Sequence, residues 1–336
     1  MTTKILCFKL GALGDALMTT PLVRQVRKNF TDAEINYLIG KSSTAALQGN
    51  KYLNNIIPFD EDIFLRRNVA QWFRLVRQIR AQKYDIIFIM DRHWIFNLTA
   101  KIFGIAQRVG FDRLGKEGLF LTHKVNYGYV VQHDVRAYLS LATVFGLNVN
   151  DHDVGMDIFV SAKDIEFAQN FYKEHHLEDK KVIGIVPGGG KNIGQDLPQK
   201  VWPVERFIQV IQKLKDPVLL LGGPFDKDKE LQIRKVCPTV VSAIGITTLQ
   251  QSAAIMEKCS IVVSNDSGPM HLAAAMGVQT VAIFGPTNPK VLAPLLPPAR
   301  VVWSAHEGYD CYGKLLHTDH SCIELVRVED VLKAVL

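Results

Sequence analysis

The sequence CSIVVSNDSGPMHLAAA, residues Cys259–Ala275, indicates the fold class more clearly than any other stretch of the chain. The β-branched run Ile261–Val263 is typical of a buried strand, Asn265–Gly268 interrupt it, and an alanine-rich helix follows. A strand that passes through a short turn into a helix places unpaired N–H groups and the positive end of the helix dipole at the carboxyl edge of a sheet. The stretch therefore predicts an anion site, suited to a phosphate or pyrophosphate, that contains the titratable residues Asp266 and His271.

The same alternation of strands and helices continues through the rest of the chain. The first half carries predicted strands at Lys4–Phe8, Ile35–Ile39, Asn55–Phe59 and Asp85–Asp91, and the second half at Val182–Val186, Val218–Leu221 and Thr280–Phe284. Two successive βα arrays predict two α/β domains, each with a parallel sheet covered by helices on both faces. The boundary is expected near residues 155–180, and the many glycine turns of the second half favour that half as the nucleotide-binding one.

Helices are predicted between these strands. One runs from the first glycine turn to about Asn29, and an amphipathic helix covers Val69–Gln82. The residues expected on its inner face are Trp72, Phe73, Val76 and Ile79.

Length and composition narrow the function classes. With 336 residues, 48% of them hydrophobic and 21% charged, the chain suits two globular domains rather than a disordered protein. Its net charge of +6 points to an anionic ligand or a membrane-facing surface more than to nucleic acid, since no nucleic-acid-binding signature is present. No apolar run reaches the length of a membrane span, and the N-terminus is interpreted as a strand rather than a signal peptide.

The five cysteines form no zinc-binding pattern. Cys7 and Cys259 are predicted core thiols, and Cys311 and Cys322 are expected to stay reduced in a cytosolic protein.

The first glycine turn, KLGALGD at Lys9–Asp15, lies between a strand and a helix. Gly11 and Gly14 permit tight or left-handed backbone, although two glycines alone are no dinucleotide fingerprint. From its position, Asp15 is interpreted as a first-turn helix cap, with a general base as the alternative.

The second turn belongs to PGGGKNIGQDLPQKVWP, residues 187–203. Gly188, Gly189 and Gly190 allow backbone amides to approach a phosphate, and Lys200 can place an ammonium group beside it. A flexible surface loop is the alternative. Because Trp202 is followed by the helix-opening Pro203, the loop is expected to be anchored and Lys200 to have a fixed direction.

Two further turns complete the candidate site. Asp226, after Gly222-Gly223-Pro224-Phe225, is interpreted equally well as a ribose ligand or a helix cap. The run from Asp266 to His271 is favoured as a ligand site over a simple turn, because polar and conformationally special residues occupy every position between an apolar strand and a helix. Its members are Asp266, Ser267, Gly268, Pro269, Met270 and His271.

Metal chemistry is not favoured by the sequence. Asp-x-Asp pairs occur at Asp60/Asp62, Asp151/Asp153 and Asp226/Asp228, and such pairs bind divalent cations with diphosphates in some proteins. Lysine and helix N-termini can neutralise a diphosphate without a metal, so we expect no metal site. The chain also lacks a Gly-x-Ser-x-Gly elbow and a Walker lysine loop.

The ordered set KLGALGD, KVWP, GGP with a following acid, NDSGPMHLAAA and FGPTNP (residues 284–289) resembles glycosyltransferase family 9, the ADP-heptose:lipopolysaccharide heptosyltransferases. The resemblance covers nearly the whole chain. It implies an α/β GT-B fold, in which two Rossmann-like domains with parallel sheets face across a cleft, and an inverting, metal-independent reaction without a cofactor. The domains would be an acceptor-binding domain at residues 1–160, a nucleotide-sugar-binding domain at 161–325 and a C-terminal helix at 326–336.

The resemblance also implies roles for individual residues. Asp15 would be the general base, with Gly14 beside it on the acceptor side, and Lys200 would stabilise the departing nucleoside diphosphate. Asp226 would bind the ribose, the run from Asp266 to His271 the donor sugar and diphosphate, and the Gly188–Gly190 loop would approach the phosphates. Arginines would meet acidic groups of a lipid A–inner core acceptor, namely Arg66, Arg67, Arg92 and Arg113. Arg74, Arg77 and Arg80 are interpreted as a solvated helix face.

The resemblance implies an enzyme that takes ADP-heptose and a lipid-linked glycan, and we expect it to be a monomer. We expect it in the cytoplasm, with peripheral contact at the inner face of the inner membrane. Three alternatives stay open: a transferase for another nucleotide sugar, a nucleotide-sugar epimerase or hydrolase, and a non-catalytic nucleotide-sugar-binding protein.

Overall fold

The computed structural model describes residues 2–113, 115–126, 132–189, 191–192, 195–303 and 321–336. The chain folds as two compact units, Met1–Asp157 and Ile158–Leu336. Each unit has its own hydrophobic core.

The first unit is built on a six-stranded parallel sheet in the order β3-β2-β1-β4-β5-β6, the strand order of a Rossmann fold. Its strands are β1 Lys4–Lys9, β2 Glu34–Gly40, β3 Asn55–Phe59, β4 Ile86–Ile89, β5 Gln107–Asp112 and β6 His123–Asn126. Its helices are α1 Leu13–Met18, α2 Thr20–Asn29, α3 Asp62–Leu65, α4 Val69–Gln82, α5 Trp94–Ile102 and α6 Asp134–Val144.

The second unit repeats this plan with the sheet order β11-β10-β7-β12-β13-β14, again parallel. Its strands are β7 Ile183–Val186, β8 Lys191–Asn192, β9 Gln195–Asp196, β10 Val218–Leu220, β11 Val241–Ser242, β12 Ile261–Asn265, β13 Thr280–Phe284 and β14 Arg300–Trp303, of which β8 and β9 form a separate antiparallel pair. Its helices are α7 Ala162–Glu174, α8 Val204–Lys213, α9 Lys227–Val236, α10 Leu249–Glu257, α11 Gly268–Ala275, α12 Pro289–Leu292 and α13 Val328–Val335.

Burial explains why the inner strands are almost wholly apolar. Every residue of β4, β7, β12 and β13 is buried, as expected for parallel strands covered by helices on both faces. Phe8 of β1 packs against Phe59, Phe96 and Phe103 in the first core. The α/β prediction with two Rossmann-like sheets is therefore confirmed.

Some local predictions were wrong. The helix expected to run to Asn29 is interrupted at Thr19 and forms α1 and α2. In α4, Phe73 is 62% exposed instead of facing the core, because Leu75, Val76 and Ile79 form the buried face and Phe73 lies beyond its edge.

Three strands of the six-stranded sheets were missed because they are short or lie at sheet edges, namely β6, β11 and β14, and the short pair β8 and β9 was also missed. The turn after β12 is also tighter than expected. The strand continues to Asn265 and α11 begins at Gly268, which leaves Asp266 and Ser267 between them.

Cys7 and Cys259 are buried, as predicted, and burial raises the pKa of the Cys259 thiol to about 11. Cys311 lies outside the described residues. In the part of the chain that is described, we find no helix with both the length and the hydropathy needed to cross a membrane.

Candidate functional site

The carboxyl edge of the second sheet gathers the ends of four neighbouring strands, β10, β7, β12 and β13. Asn265, the last residue of β12, is fully buried and joins two of the segments that follow these strands. Its Nδ2 donates to the Gly188 carbonyl oxygen at 2.8 Å, and its Oδ1 accepts from the Trp202 amide at 3.1 Å. The glycine loop and the segment Lys200–Pro203 therefore meet beside the turn that opens α11.

Trp202 anchors the segment that carries Lys200. Its side chain is fully buried, and its ring packs edge-on against Phe207 with centroids 5.0 Å apart. The indole Nε1 donates to the Val326 carbonyl oxygen at 3.1 Å. The segment is thus held at a defined place, as the Trp-Pro pair predicted.

Lys200, Asp266 and Thr287 form a buried polar triad. Lys200 Nζ lies 2.6 Å from Asp266 Oδ2, and Thr287 Oγ1 donates to the same oxygen at 2.6 Å. The side chains of Lys200 and Asp266 are only 16% and 5% exposed. A buried carboxylate needs such partners, and this pairing fixes the direction of the ammonium group. Sequence reasoning gave Thr287 no role, although its FGPT segment follows the adjacent strand and signals the same sheet edge.

The glycines of this edge make room for Asp226. A Cβ on Gly188 would lie 1.8 Å from Asp226 Oδ1, and a Cβ on Gly222 would lie 2.6 Å from Asp226 Oδ2. Asp226 Oδ2 also accepts from the Gly223 amide at 2.9 Å. Asp226 precedes α9 without a side-chain capping bond to that helix, and its carboxylate instead closes the turn before the helix and lies against the glycine loop.

Gly189 comes close to the turn before α11. Its φ is +130°, and a Cβ there would lie 3.0 Å from Ser267 Cβ. Gly190 lies outside the described residues. The loop and the turn thus approach each other closely because position 189 carries no side chain.

The residues in the first turn of α11 differ in burial. Ser267, the residue before the helix, directs its Oγ to the Asn265 carbonyl oxygen instead of capping the helix amides, and Gly268 and Pro269 are half-buried. His271 is 4% exposed. Met270 is fully buried and its amide donates to the Ser267 carbonyl oxygen at 3.1 Å, so its side chain belongs to the core.

In the first unit, Asp15 occupies the third position of α1. Its Oδ2 accepts from the Ala12 amide at 3.3 Å, and its side chain is 39% exposed. Gly11 adopts the unusual backbone conformation of the turn, with a φ of +144°. A Cβ at this position would lie only 2.8 Å from Ser43 Oγ, which is too close for a side chain. Gly14 is instead a buried helical residue, so the left-handed backbone is needed at Gly11 only.

Lys9 and Asp91 form a buried ion pair beside Asp15. Lys9 Nζ lies 3.0 Å from Asp91 Oδ1 and 3.7 Å from Asp15 Oδ2. Burial lowers the pKa of Lys9, but Asp91, Tyr138 and Asp15 outweigh it and hold that pKa well above its ordinary value. Burial raises the pKa of Asp91, with Lys9 opposing the shift. The sequence showed only that Lys9 and Asp91 lie near the ends of two strands. The structure shows that these strands, β1 and β4, are adjacent in the sheet.

Arg92 belongs to the same group through Asp134. Its Nη2 lies 2.6 Å from Asp134 Oδ1, and its guanidinium lies 5.5 Å from the Phe111 ring centroid and 5.9 Å from that of Tyr138. Burial raises the pKa of Asp134, and Arg92 opposes the shift. Arg92 was predicted as an acceptor ligand, and much of its charge is committed to this internal carboxylate.

We call the set Lys9, Asp15, Asp91, Arg92 and Asp134 the charged cluster. Its three carboxylates face two cations. The side chains of Asp91 and Asp134 are 12% and 4% exposed and pair closely with Lys9 and Arg92, whereas that of Asp15 is 39% exposed. Asp15 is therefore the most solvent-exposed carboxylate of the charged cluster.

The other predicted acceptor residues are surface groups. The Arg66 side chain is 80% exposed and lies 3.3 Å from Asp62 Oδ1, and Arg67 and Arg113 are exposed as well. Within the described ranges, no three His, Cys, Asp or Glu side chains are arranged to hold a metal ion.

Comparison with known proteins identifies the family of the chain. A model described as glycosyltransferase family 9 (heptosyltransferase) matches residues 72–320. Lipopolysaccharide heptosyltransferase 3 of Escherichia coli is 24% identical over 291 residues, with 82% of this chain and 81% of the relative covered. Lipopolysaccharide heptosyltransferase 2 of E. coli K12 is 24% identical over 310 residues, with 89% and 87% covered.

Two solved structures share the fold. The crystal structure of a family 9 glycosyltransferase from Veillonella parvula is 24% identical, with a TM-score of 0.81, and 99% of this chain and 96% of that chain are covered. The structure of E. coli ADP-heptose lps heptosyltransferase II is 22% identical, with a TM-score of 0.77 and 99% and 97% covered. The fold is the GT-B fold that the sequence predicted. The family model covers most of the chain, and we conclude that the chain belongs to glycosyltransferase family 9, the heptosyltransferases of lipopolysaccharide biosynthesis.

Proposed function

We propose that this chain transfers heptose from ADP-heptose to a lipid-linked glycan acceptor, with inversion at the anomeric carbon and without a metal. The observation that carries the proposal is the arrangement at the carboxyl edge of the second sheet. There, Lys200 is fixed by Asp266 beside a loop and a helix start that offer backbone amides. Open α/β sheets bind nucleotides at this edge. The donor sugar and the lipopolysaccharide acceptor are suggested by the names of the relatives.

In the proposed reaction, the Asp15 carboxylate accepts the proton of an acceptor hydroxyl group. The hydroxyl oxygen forms a bond to the anomeric carbon as the bond from that carbon to the diphosphate oxygen breaks. General-base assistance of this kind contributes roughly 10²–10⁴-fold. Asp15 suits the role because it is the exposed carboxylate of the charged cluster.

The departing diphosphate needs positive charge. Lys200 and the backbone amides around Ser267 and Gly189 would supply it from fixed positions, which is the form in which electrostatic stabilisation is most effective. Asp226 would accept hydrogen bonds from the ribose hydroxyls. We further propose that the protein works as a monomer in the cytoplasm, at the inner face of the inner membrane, where a lipid-linked acceptor is accessible.

The test combines an Asp15→Ala variant with a donor panel. We expect ADP-heptose to raise the melting temperature and UDP- and GDP-sugars to have little effect. Asp15→Ala should abolish transfer and leave ADP binding nearly unchanged, since the residue lies in the other unit from the donor residues. Asp60→Asn is the control, because Asp60 caps a turn in the same unit outside the charged cluster.

Each other outcome identifies an alternative. Retained transfer by Asp15→Ala contradicts its role as the base, and a shift with only a UDP-sugar contradicts the heptose assignment. Product formed from the donor without any acceptor indicates an epimerase or hydrolase. Transfer lost in the presence of a chelator and restored by a divalent cation contradicts the metal-free mechanism.

A further inference from the structure

The end of α3 and the start of α4 expose three large apolar side chains within nine residues. Leu65, Val69 and Phe73 are 42%, 60% and 62% exposed. Val69 and Phe73 lie one helical turn apart and therefore share a side of α4. Single exposed apolar residues are common, but a group of them with an aromatic member is a feature of interaction sites.

The same segment is strongly basic. Between Ile63 and Tyr84 the sequence has six basic residues and no acidic one. All six are exposed: Arg66, Arg67, Arg74, Arg77, Arg80 and Lys83. Asp62, immediately before this stretch, pairs with Arg66 at 3.3 Å and offsets one charge only. We call the exposed residues of 65–83 the basic apolar surface.

The basic apolar surface lies on a firmly seated helix. Leu75, Val76 and Ile79 of α4 are buried in the first core. Trp72 Nε1 donates to Thr99 Oγ1 at 3.2 Å, and the Asn68 side chain caps the first turn of the helix. The exposed groups are therefore presented by a fixed scaffold, which limits the entropy lost when they bind a partner.

We propose that the basic apolar surface docks on an anionic lipid bilayer. Apolar and aromatic groups on one side of a helix enter the boundary between headgroups and acyl chains, while neighbouring arginines bind the lipid phosphates. A second copy of the chain is a poor occupant, since each surface carries an excess of positive charge and the two would repel. The inference extends the proposed function by supplying the contact with the surface that holds a lipid-linked acceptor, but it can be tested without any transfer reaction.

The experiment is co-sedimentation of the full chain with vesicles of phosphatidylglycerol and phosphatidylcholine in equal parts, compared with vesicles of phosphatidylcholine alone. We expect binding to the anionic vesicles only. Arg74→Gln/Arg77→Gln should weaken it by roughly twenty-five-fold, since each arginine near the surface contributes about fivefold. Phe73→Ser should weaken it by about tenfold. Leu231→Ser is the matched control, because Leu231 is 67% exposed on α9 of the other unit.

The outcomes separate this surface from the proposed function. No binding to anionic vesicles, or equal binding by the Phe73 and arginine variants and the wild type, overturns the inference. A Phe73-dependent dimer in analytical ultracentrifugation also overturns it, in favour of self-association. Transfer to a delipidated, water-soluble acceptor is measured in parallel and should be unchanged in all these variants. Its absence in the wild type would count against the proposed function alone.

Discussion

Gly188 shows how one missing side chain shapes the donor site. The Asp226 carboxylate occupies the space that a Cβ at position 188 would take. The backbone at Gly188 and the Asp226 carboxylate can then both face the same ligand. Position 188 therefore requires glycine for its lack of a side chain, and not only for loop flexibility.

Gly188→Ala should therefore displace Asp226 and weaken ADP binding by roughly tenfold, the effect of about one lost hydrogen bond to a charged group. Isothermal titration with ADP measures the change. Gly223→Ala is the matched control, since a Cβ there meets nothing within 4 Å and the Gly223 amide that donates to Asp226 is kept. Equal affinities of the two variants would contradict the close-packing explanation.

The residues of the second unit were more predictable than those of the first. A run such as NDSGPMH interrupts the local pattern so strongly that the sequence alone marks it. Lys9, Asp91 and Asp134 were given no role because each is an ordinary strand-end or helix-start residue, and their contact depends on which strands become neighbours. Thr287 was overlooked for the same reason, since its bond to Asp266 crosses from β13 to β12.

At the scale of elements, the adjacent strands β1 and β4 are joined at their carboxyl ends by Lys9 and Asp91. The Leu10 amide donates to Asp91 Oδ2 at 2.6 Å, so the same carboxylate also fixes the start of the turn that leads to Asp15. The order of strands thus decides where the charged cluster forms, and strand order follows from packing that local sequence does not display.

Asp91→Asn should destabilise the first unit by about 3–5 kcal/mol, because it leaves the buried Lys9 charge without its principal partner. The double variant Lys9→Met/Asp91→Leu should recover most of this stability and still lose transfer activity, since Asp15 loses its neighbour. Urea unfolding and an activity assay measure the two effects. An active double variant would show that the pair serves stability alone.

The ion pair of Lys9 and Asp91 also predicts that the stability of the protein depends on pH. The pKa of Lys9 is raised in the folded state, so its contribution to stability is complete below the ordinary lysine value of about 10.4 and is lost as the pH rises through the higher folded value. Above that pH, the free energy of unfolding of the wild type should therefore fall relative to that of the double variant. A difference that is constant with pH would contradict this assignment.

At the scale of the whole molecule, the predicted donor and acceptor residues belong to different units, each with its own core. A ligand stabilises the part of a protein that it contacts, by about 2.7 kcal/mol at a hundredfold excess over its Kd. The two successive βα arrays in the sequence predicted two α/β domains. Which side chains pair within each site is visible only in the folded structure.

ADP should therefore slow hydrogen exchange in the second unit, chiefly around Gly188, Lys200, Asp226 and Asp266–His271. Exchange near Lys9–Asp15 should stay unchanged unless an acceptor is added. Hydrogen-exchange mass spectrometry of the full chain makes the comparison, with UDP as the control nucleotide. Protection confined to the first unit would contradict the assignment of nucleotide binding to the second unit.

The bond from Trp202 to the Val326 carbonyl oxygen links positions 124 residues apart. During synthesis, the segment that carries Lys200 leaves the ribosome long before its anchor exists. At about 5–20 residues per second, the delay is on the order of 10 s. Throughout that interval the segment lacks the bond from Trp202 to Val326, so the nascent chain holds Lys200 less firmly than the finished protein does. The anchor thus delays the complete donor site until Val326 has been synthesised.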